Sequence, residues 1–182
     1  MDYVEKTVQK HYVFEGKIIK VRRDEAELPD GNPCFREVVE HPGGASILYV
    51  EEGKVLLVRQ YRYAYGESLY EIPAGKLEIG EDPMLAAKRE LEEEAGVKAG
   101  ETSLLFVLYP TPGYTNEKIY IYEACNGEKT QAHLDEGEFL DVVYMPFEEA
   151  LKEIAEGRIK DAKTIVALQA YALRKNKGKA EA

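Results

Sequence analysis

One stretch constrains this chain more than any other: Gly75-Lys-Leu-Glu-Ile-Gly-Glu-Asp-Pro-Met-Leu-Ala-Ala-Lys-Arg-Glu-Leu-Glu-Glu-Glu-Ala-Gly-Val97. It reads as a glycine loop followed by one helix. Asp82 suits the N-cap, Pro83 the first helical position, and Gly96 the residue just past the end. Met84, Ala87, Leu91 and Ala95 recur at helical spacing and predict one apolar stripe. The charges are the anomaly, because Glu90, Glu92, Glu93 and Glu94 crowd the last two turns. Glu90 and Glu94 are i,i+4 neighbours and repel. A helix C-terminus already carries partial negative charge, so each exposed carboxylate there costs about 0.3–1 kcal/mol. Lys88 and Arg89 offset only part of this. A hard divalent cation would relieve the repulsion. A solvated acidic helix end also fits the charge pattern taken by itself.

The spacing separates these readings. The stretch resembles the Nudix box, G-x5-E-x7-R-E-U-x-E-E-x-G-U, with U a bulky aliphatic residue. Gly75, Glu81, Arg89, Glu90, Leu91, Glu93, Glu94, Gly96 and Val97 fill every fixed position. The resemblance implies hydrolysis of a nucleoside diphosphate linked to another moiety, with Mg2+ or Mn2+ and more than one ion. It implies Glu90 and Glu94 as principal metal ligands, Glu93 assisting, and the Ala74 carbonyl as a further ligand. Arg89 looks like the residue that orients the glutamates. Glu81 looks like an anchor between loop and helix.

A chain of 182 residues fits one core with a small extra element. No segment approaches 18 consecutive apolar residues, and the N-terminal residues lack the basic and apolar regions of a signal peptide. A cytoplasmic location is expected. The net charge of -10 disfavours extended nucleic acid binding, which needs a basic surface. Cys34 and Cys125 lack metal-type spacing and are expected to pack as small hydrophobes. There is no CxxC, no dinucleotide fingerprint and no internal repeat.

Residues 12–22 are rich in strand formers, residues 28–33 form a turn, and residues 34–40 return as a second strand. This β-hairpin (1–42 with its flanks) precedes the core domain (43–174), and a charged tail (175–182) follows. A lone hairpin is marginal in water and must pack on something. Strands are expected at 45–50, 55–62, 69–75, 103–109, 117–125 and 139–145, and helices at 146–156 and 161–173. The polar segment 126–138 is long enough to be a lid or a carrier of site residues. Strands and helices alternate irregularly, which disfavours a doubly wound fold. The resemblance supplies the α/β/α sandwich around a mixed sheet, an α/β class.

Features outside the box resemble the ADP-ribose pyrophosphatase branch over nearly the whole chain. Pro112 lies where that branch carries a marker proline, within Thr111-Pro-Gly-Tyr-Thr-Asn-Glu-Lys118, which looks like its S-P-G-x-[ST]-x-E loop. Residues 157–168 resemble its C-terminal helix signature. In that branch the hairpin exchanges across a homodimer and helps to build the adenine site. Arg62 looks like the arginine that meets the diphosphate. Phe35, Arg36 and Glu37 fall in the adenine-contacting segment, and Glu117 resembles a glutamate near the phosphates or terminal ribose. The general base of the branch lies on the loop before the last strand, where Glu138 stands first and Glu136 second. The implied function is metal-dependent hydrolysis of ADP-ribose to AMP and ribose 5-phosphate. The alternatives are another nucleoside diphosphate sugar such as GDP-mannose, or a silent ADP-ribose-binding module.

Overall fold

The computed structural model describes the backbone of residues 3–180 and the side chains of residues 3–175. It divides into two compact units. One comprises the chain up to Gly43 together with Tyr109–Lys118; the other comprises Gly44–Leu108 and the chain from Ile119 onward.

The first unit is built on four strands: β1 (Lys6–Gln9), β2 (Tyr12–Glu15), β3 (Lys20–Glu27) and β4 (Pro33–Glu40). The expected two-stranded hairpin is therefore half of the element. Residues 12–22 do not run as one strand: the chain turns after Glu15, and Gly16 N donates to Ile19 O at 2.9 Å. The strand formers on both sides of Gly16 pair with each other, Tyr12 opposite Arg22 and Glu15 opposite Lys20. β4 pairs with β3 along its whole length, and β1 pairs with the far end of β3. More pairing makes the unit sturdier than a lone hairpin. The loop 109–118 joins it through Val39 N to Tyr114 O at 2.7 Å and Asn116 N to Val39 O at 3.2 Å.

The second unit continues with β5 (Gly44–Glu51), β6 (Lys54–Arg62), β7 (Glu67–Glu71), β8 (Ala74–Lys76), α1 (Pro83–Ala95), β9 (Val97–Lys98), β10 (Glu101–Leu108) and β11 (Ile119–Cys125). The short strand β12 (Glu128–Lys129) follows, then β13 (Leu140–Pro146), α2 (Phe147–Ala155) and α3 (Ala162–Ala180). Seven strands form a mixed sheet whose main path is β10-β11-β5-β6-β13. Only β11 and β5 run parallel along it.

Alternation sorts the two faces. Ile47 and Tyr49 of β5 and Leu56 of β6 join Ala86, Ala87 and Leu91 of α1. Leu48, Val55 and Leu57 join Phe147, Ala150, Ala167 and Leu168 of α2 and α3. One sheet thus carries helices on both faces, as the sandwich expectation requires.

Three local expectations need correction. α3 continues to Ala180 instead of ending near Leu173, so the proposed tail is helical up to that point; its last two residues lie outside the described ones. Cys125, at the end of β11, is exposed and does not pack as a hydrophobe. Met84 is 37% exposed, whereas Ala86 and Glu94 are buried, so the inward stripe of α1 runs through Ala87, Leu91 and Glu94. Among the described residues no helix is long and apolar enough to cross a membrane.

Candidate active site

β5 and β6 bond to each other only beside their shared turn, at Val50–Val55 and Glu51–Lys54. Beyond it they diverge, and the returning chain fills the gap. β7 pairs with the far end of β6, and β8 pairs with the start of β5. Every residue from Glu71 to Ala74 is held. Ile72 N donates to Thr164 Oγ1 at 2.8 Å, Ile47 N donates to Pro73 O at 3.0 Å, and Ala74 N donates to Glu94 Oε2 at 3.2 Å. Glu71 is held by the side chains of Arg62 and Lys163.

This fixed segment leads into Gly75, whose missing side chain matters. A Cβ at Gly75 would lie 1.7 Å from Glu90 Oε1, so only glycine lets β8 approach the glutamate. α1 follows as its caps dictate. Asp82 accepts from Met84 N at 2.9 Å and Leu85 N at 3.1 Å, and Gly96 takes the left-handed conformation at φ 63°. The last turn of α1 contains no basic residue. Backbone donors serve its carbonyls instead, Thr130 N to Gly96 O at 2.7 Å and His133 N to Glu93 O at 2.8 Å. The polar segment before β13 is thereby strapped to the end of the glutamate helix.

Arg89 gathers carboxylates along one side of α1. Its Nε donates to Glu81 Oε1 at 3.0 Å, and its Nη1 lies 2.7 Å from Glu93 Oε2 and 2.9 Å from Glu90 Oε1. Those hydrogen bonds hold the Glu81 carboxyl below its usual range. Glu94 has no such cation. It is 2% exposed, and burial, then the charges of Glu90 and Glu138, push its carboxyl up to about 8. Burial likewise raises Glu90, with Arg89 opposing and Glu93 and Glu138 adding to the rise.

Glu90 and Glu94 therefore sense the charge of Glu138, although it stands more than forty residues further along the chain. Glu138 Oε1 accepts from Gln60 Nε2 at 3.2 Å. Three carboxylates that repel one another, with Ala74 beside them, form a hard-oxygen donor set suited to a divalent cation. Their side chains are not drawn into one shell. Among the described residues no three of His, Cys, Asp and Glu converge enough to enclose an ion.

Arg62, at the end of β6, is committed to a bidentate ion pair with Glu71, at 2.6 and 2.8 Å. In the other unit, Arg36 forms a two-point pair with Glu5, at 2.7 and 2.5 Å. The side chain stacked on Phe35 is Arg23, 4.0 Å from the ring centre. Glu37 lines a cleft of about 410 Å³ with Val21, Arg22, Arg23, Val39 and Tyr114. Glu117 lies 3.4 Å from His41 Nδ1. Pro112 lies in the loop whose Thr111 carbonyl accepts from Tyr114 N and Thr115 N at 3.4 and 3.3 Å.

Sequence reasoning overlooked Gln60, Glu71 and Lys163. Glu71 was accessible to it: alternation along β7 puts Glu71 on the same face as the buried Leu69.

A seven-strand mixed sheet with helices on both faces and a carboxylate-lined helix end defines a class of fold and site. The NUDIX domain model matches residues 40–168, and the model for the nucleoside diphosphate sugar hydrolase N-terminal domain matches residues 5–39. The chain belongs to the Nudix family, whose hydrolases generally use divalent metal ions.

Among curated relatives, a methanol dehydrogenase activator of Bacillus methanolicus is 42% identical, over 92% of both chains. An ADP-ribose pyrophosphatase of Bacillus subtilis is 40% identical, over 91% of both chains. A GDP-mannose pyrophosphatase of Yersinia pestis is 37% identical, over 74% of this chain and 73% of that one. A crystal structure of an ADP compounds hydrolase superposes with a TM-score of 0.84. It covers 98% of this chain and 97% of that chain at 22% identity, which speaks for the fold alone.

Proposed function

We propose that this chain hydrolyses the diphosphate of ADP-ribose to AMP and ribose 5-phosphate, with Mg2+ or Mn2+. One observation carries the reading. The complete glutamate set of α1 occurs in a chain 40% identical, over 91% of its length, to a protein named ADP-ribose pyrophosphatase. An ADP-ribose-binding module without activity would have no need to keep every box glutamate, and Glu81, Glu90, Glu93 and Glu94 are all present.

In this reading Glu90, Glu94 and the Ala74 carbonyl would hold divalent metal, with Glu93 assisting and more than one ion bound. Metal held there would supply positive charge against the phosphoryl oxygens and would make the attacking water more acidic. The chain's own groups do the rest. Arg89 fixes Glu90 and Glu93 through Nη1, while its Nε ties the helix to Glu81. Glu138 accepts a proton from the attacking water, with Gln60 holding its carboxylate. The water oxygen bonds to one phosphorus, the bridging P–O bond breaks, and the bridging oxygen leaves with the other phosphate. Arg62 meets the diphosphate. Phe35, Arg36 and Glu37 serve the adenine, and Glu117 and Pro112 belong to the loop near the phosphates or terminal ribose. Val8, Val13 and Phe14 of the N-terminal strands and Ile18 of the turn between β2 and β3 are exposed and offer apolar contact area to a second copy, giving a homodimer.

GDP-mannose is the second reading, supported by the 37% identical relative and by the N-terminal match. A panel of ADP-ribose, GDP-mannose, NADH and dinucleoside polyphosphates, with and without Mg2+, decides between them by product analysis. Metal-dependent AMP and ribose 5-phosphate, formed fastest from ADP-ribose, is the expected result. Faster cleavage of GDP-mannose would overturn the substrate and leave the metal face standing. Light scattering should give twice the 20.6 kDa chain mass, and a monomer would end the dimer reading.

A further inference from the structure

Outside the glutamate face, buried charge gathers at the start of α3. Glu71 is 2% exposed, and a carboxylate that deep is costly unless its oxygens are held. Both are held. Oε1 accepts from Arg62 Nε and Oε2 from Arg62 Nη2, and Lys163 Nζ also donates to Oε2. Lys163 is itself buried, and its ammonium lies 3.0 Å from Asp161 Oδ1. Asp161 Oδ2 accepts from Thr164 N at 2.9 Å at the start of α3. Two acids and two bases thus form a neutral set inside the unit. Burial pushes the Glu71 carboxyl up, but the Arg62 hydrogen bonds and the Lys163 charge outweigh it, and the group stays below its usual range.

The clamp has a direction. It engages the Nε and Nη2 edge of the guanidinium, and among the described residues Arg62 Nη1 makes no hydrogen bond. The Arg62 side chain is 40% exposed, against 2% for Glu71. One edge is therefore gripped from within and the other is open. Arg62 and Lys163 both feel the charge of Glu94, so the pair stands within electrostatic range of the glutamate face. An arginine held in this way loses less rotamer freedom when it meets an anion than one free at a strand end.

We propose that Glu71, backed by Lys163, is a positioning residue for diphosphate hydrolysis: it fixes Arg62 so that the open guanidinium edge meets a diphosphate oxygen of the substrate. The inference rests on the proposed hydrolysis, in which Arg62 binds the diphosphate. Glu71 does not touch substrate. Its effect passes through Arg62, and Lys163 keeps the carboxylate charged and in place.

A double-mutant cycle on the full chain with Mg2+ tests this, using Glu71→Gln, Arg62→Ala and the pair. Glu71→Gln should raise KM for ADP-ribose roughly tenfold with kcat within about threefold, because an interaction common to ground and transition states is weakened. Arg62→Ala should cost at least as much, and adding Glu71→Gln to it should change KM by less than about twofold. A purely structural ion pair predicts a lower Tm with unchanged KM, and that result overturns the proposal. So do multiplicative effects in the double variant.

Should Glu71→Gln not fold, Arg62→Lys carries the test. Lysine keeps the charge, but its single nitrogen cannot be gripped on one edge and present another. KM should rise roughly fivefold or more at an unchanged Tm, and an unchanged KM overturns the proposal. If the wild type cleaves GDP-mannose and not ADP-ribose, the substrate reading fails. The same cycle on GDP-mannose, also a diphosphate, then decides the role of Glu71. A chain that cleaves neither overturns both.

Discussion

Glu94 and Glu92 lie two positions apart on α1 and differ in every physical respect. Glu94 is buried, accepts from Ala74 N and has its carboxyl raised; Glu92 is half-buried, with no ion pair among the described residues. Glu94→Gln should lower kcat by roughly two or more orders of magnitude, whereas Glu92→Gln should leave it within about twofold. Similar losses at both positions in steady-state assays would mean that the active face of α1 is misassigned. Gly75 is the second informative residue. A methyl group there would collide with the Glu90 carboxylate, whose side chain can swing away, so Gly75→Ala should fold and lose its chemistry. The expected loss is roughly a hundredfold in kcat at a Tm within a few degrees of wild type. Retained activity would show that Glu90 does its work from another rotamer.

At the scale of elements, the first turn of α3 fixes the strand end that delivers Ala74. Thr164 is fully buried; its Oγ1 accepts from Ile72 N at 2.8 Å and donates to Asp161 Oδ2 at 2.6 Å. Thr164→Val keeps the shape and orphans the Ile72 N–H. It should cost roughly 1–3 kcal/mol, read calorimetrically as a fall in Tm of about 2–4 °C per kcal/mol. No change in Tm would mean that water or a backbone shift replaces the hydroxyl. Much at this scale was legible beforehand. The caps of α1, the box glycines and the alternation of β5 and β6 are local rules, and the structure follows them. The N-terminal strands were read less fully. Composition marks 12–22 as strand-forming, but Gly16 lets the chain fold back, and which strand formers pair is decided across the sheet.

For the whole molecule, the glutamate face couples stability to pH and metal. Glu94 titrates near 4.5 in an unfolded chain and near 8 in the folded, metal-free one. The folded state therefore holds an extra proton between these values. Its stabilising contribution is complete below 4.5 and lost as pH rises through 8. Metal needs the ionised carboxylate and so binds better as pH rises. Scanning calorimetry should show the metal-free chain losing Tm between about pH 4.5 and 8, with Mg2+ restoring more of it at the higher pH. An Mg2+ shift that does not depend on pH would remove Glu94 from the metal site.

What the sequence by itself determined was the set of donors: an ordered spacing of glycine, arginine and glutamates on one capped helix, which local periodicity is enough to place. The box does not reach Glu138, Gln60, Glu71 or Lys163, because each lies on another element. The pairing of β13 with β6 sets Glu138 beside Gln60, and the divergence of β5 and β6, with β7 and β8 filling the gap and α3 packed behind, places Glu71 and Lys163. Burial then does what spacing could not. It separates Glu94, deep and protonatable, from Glu92, half-buried and without an ion pair among the described residues, because a carboxylate's charge is costly only where water and countercharge are withheld.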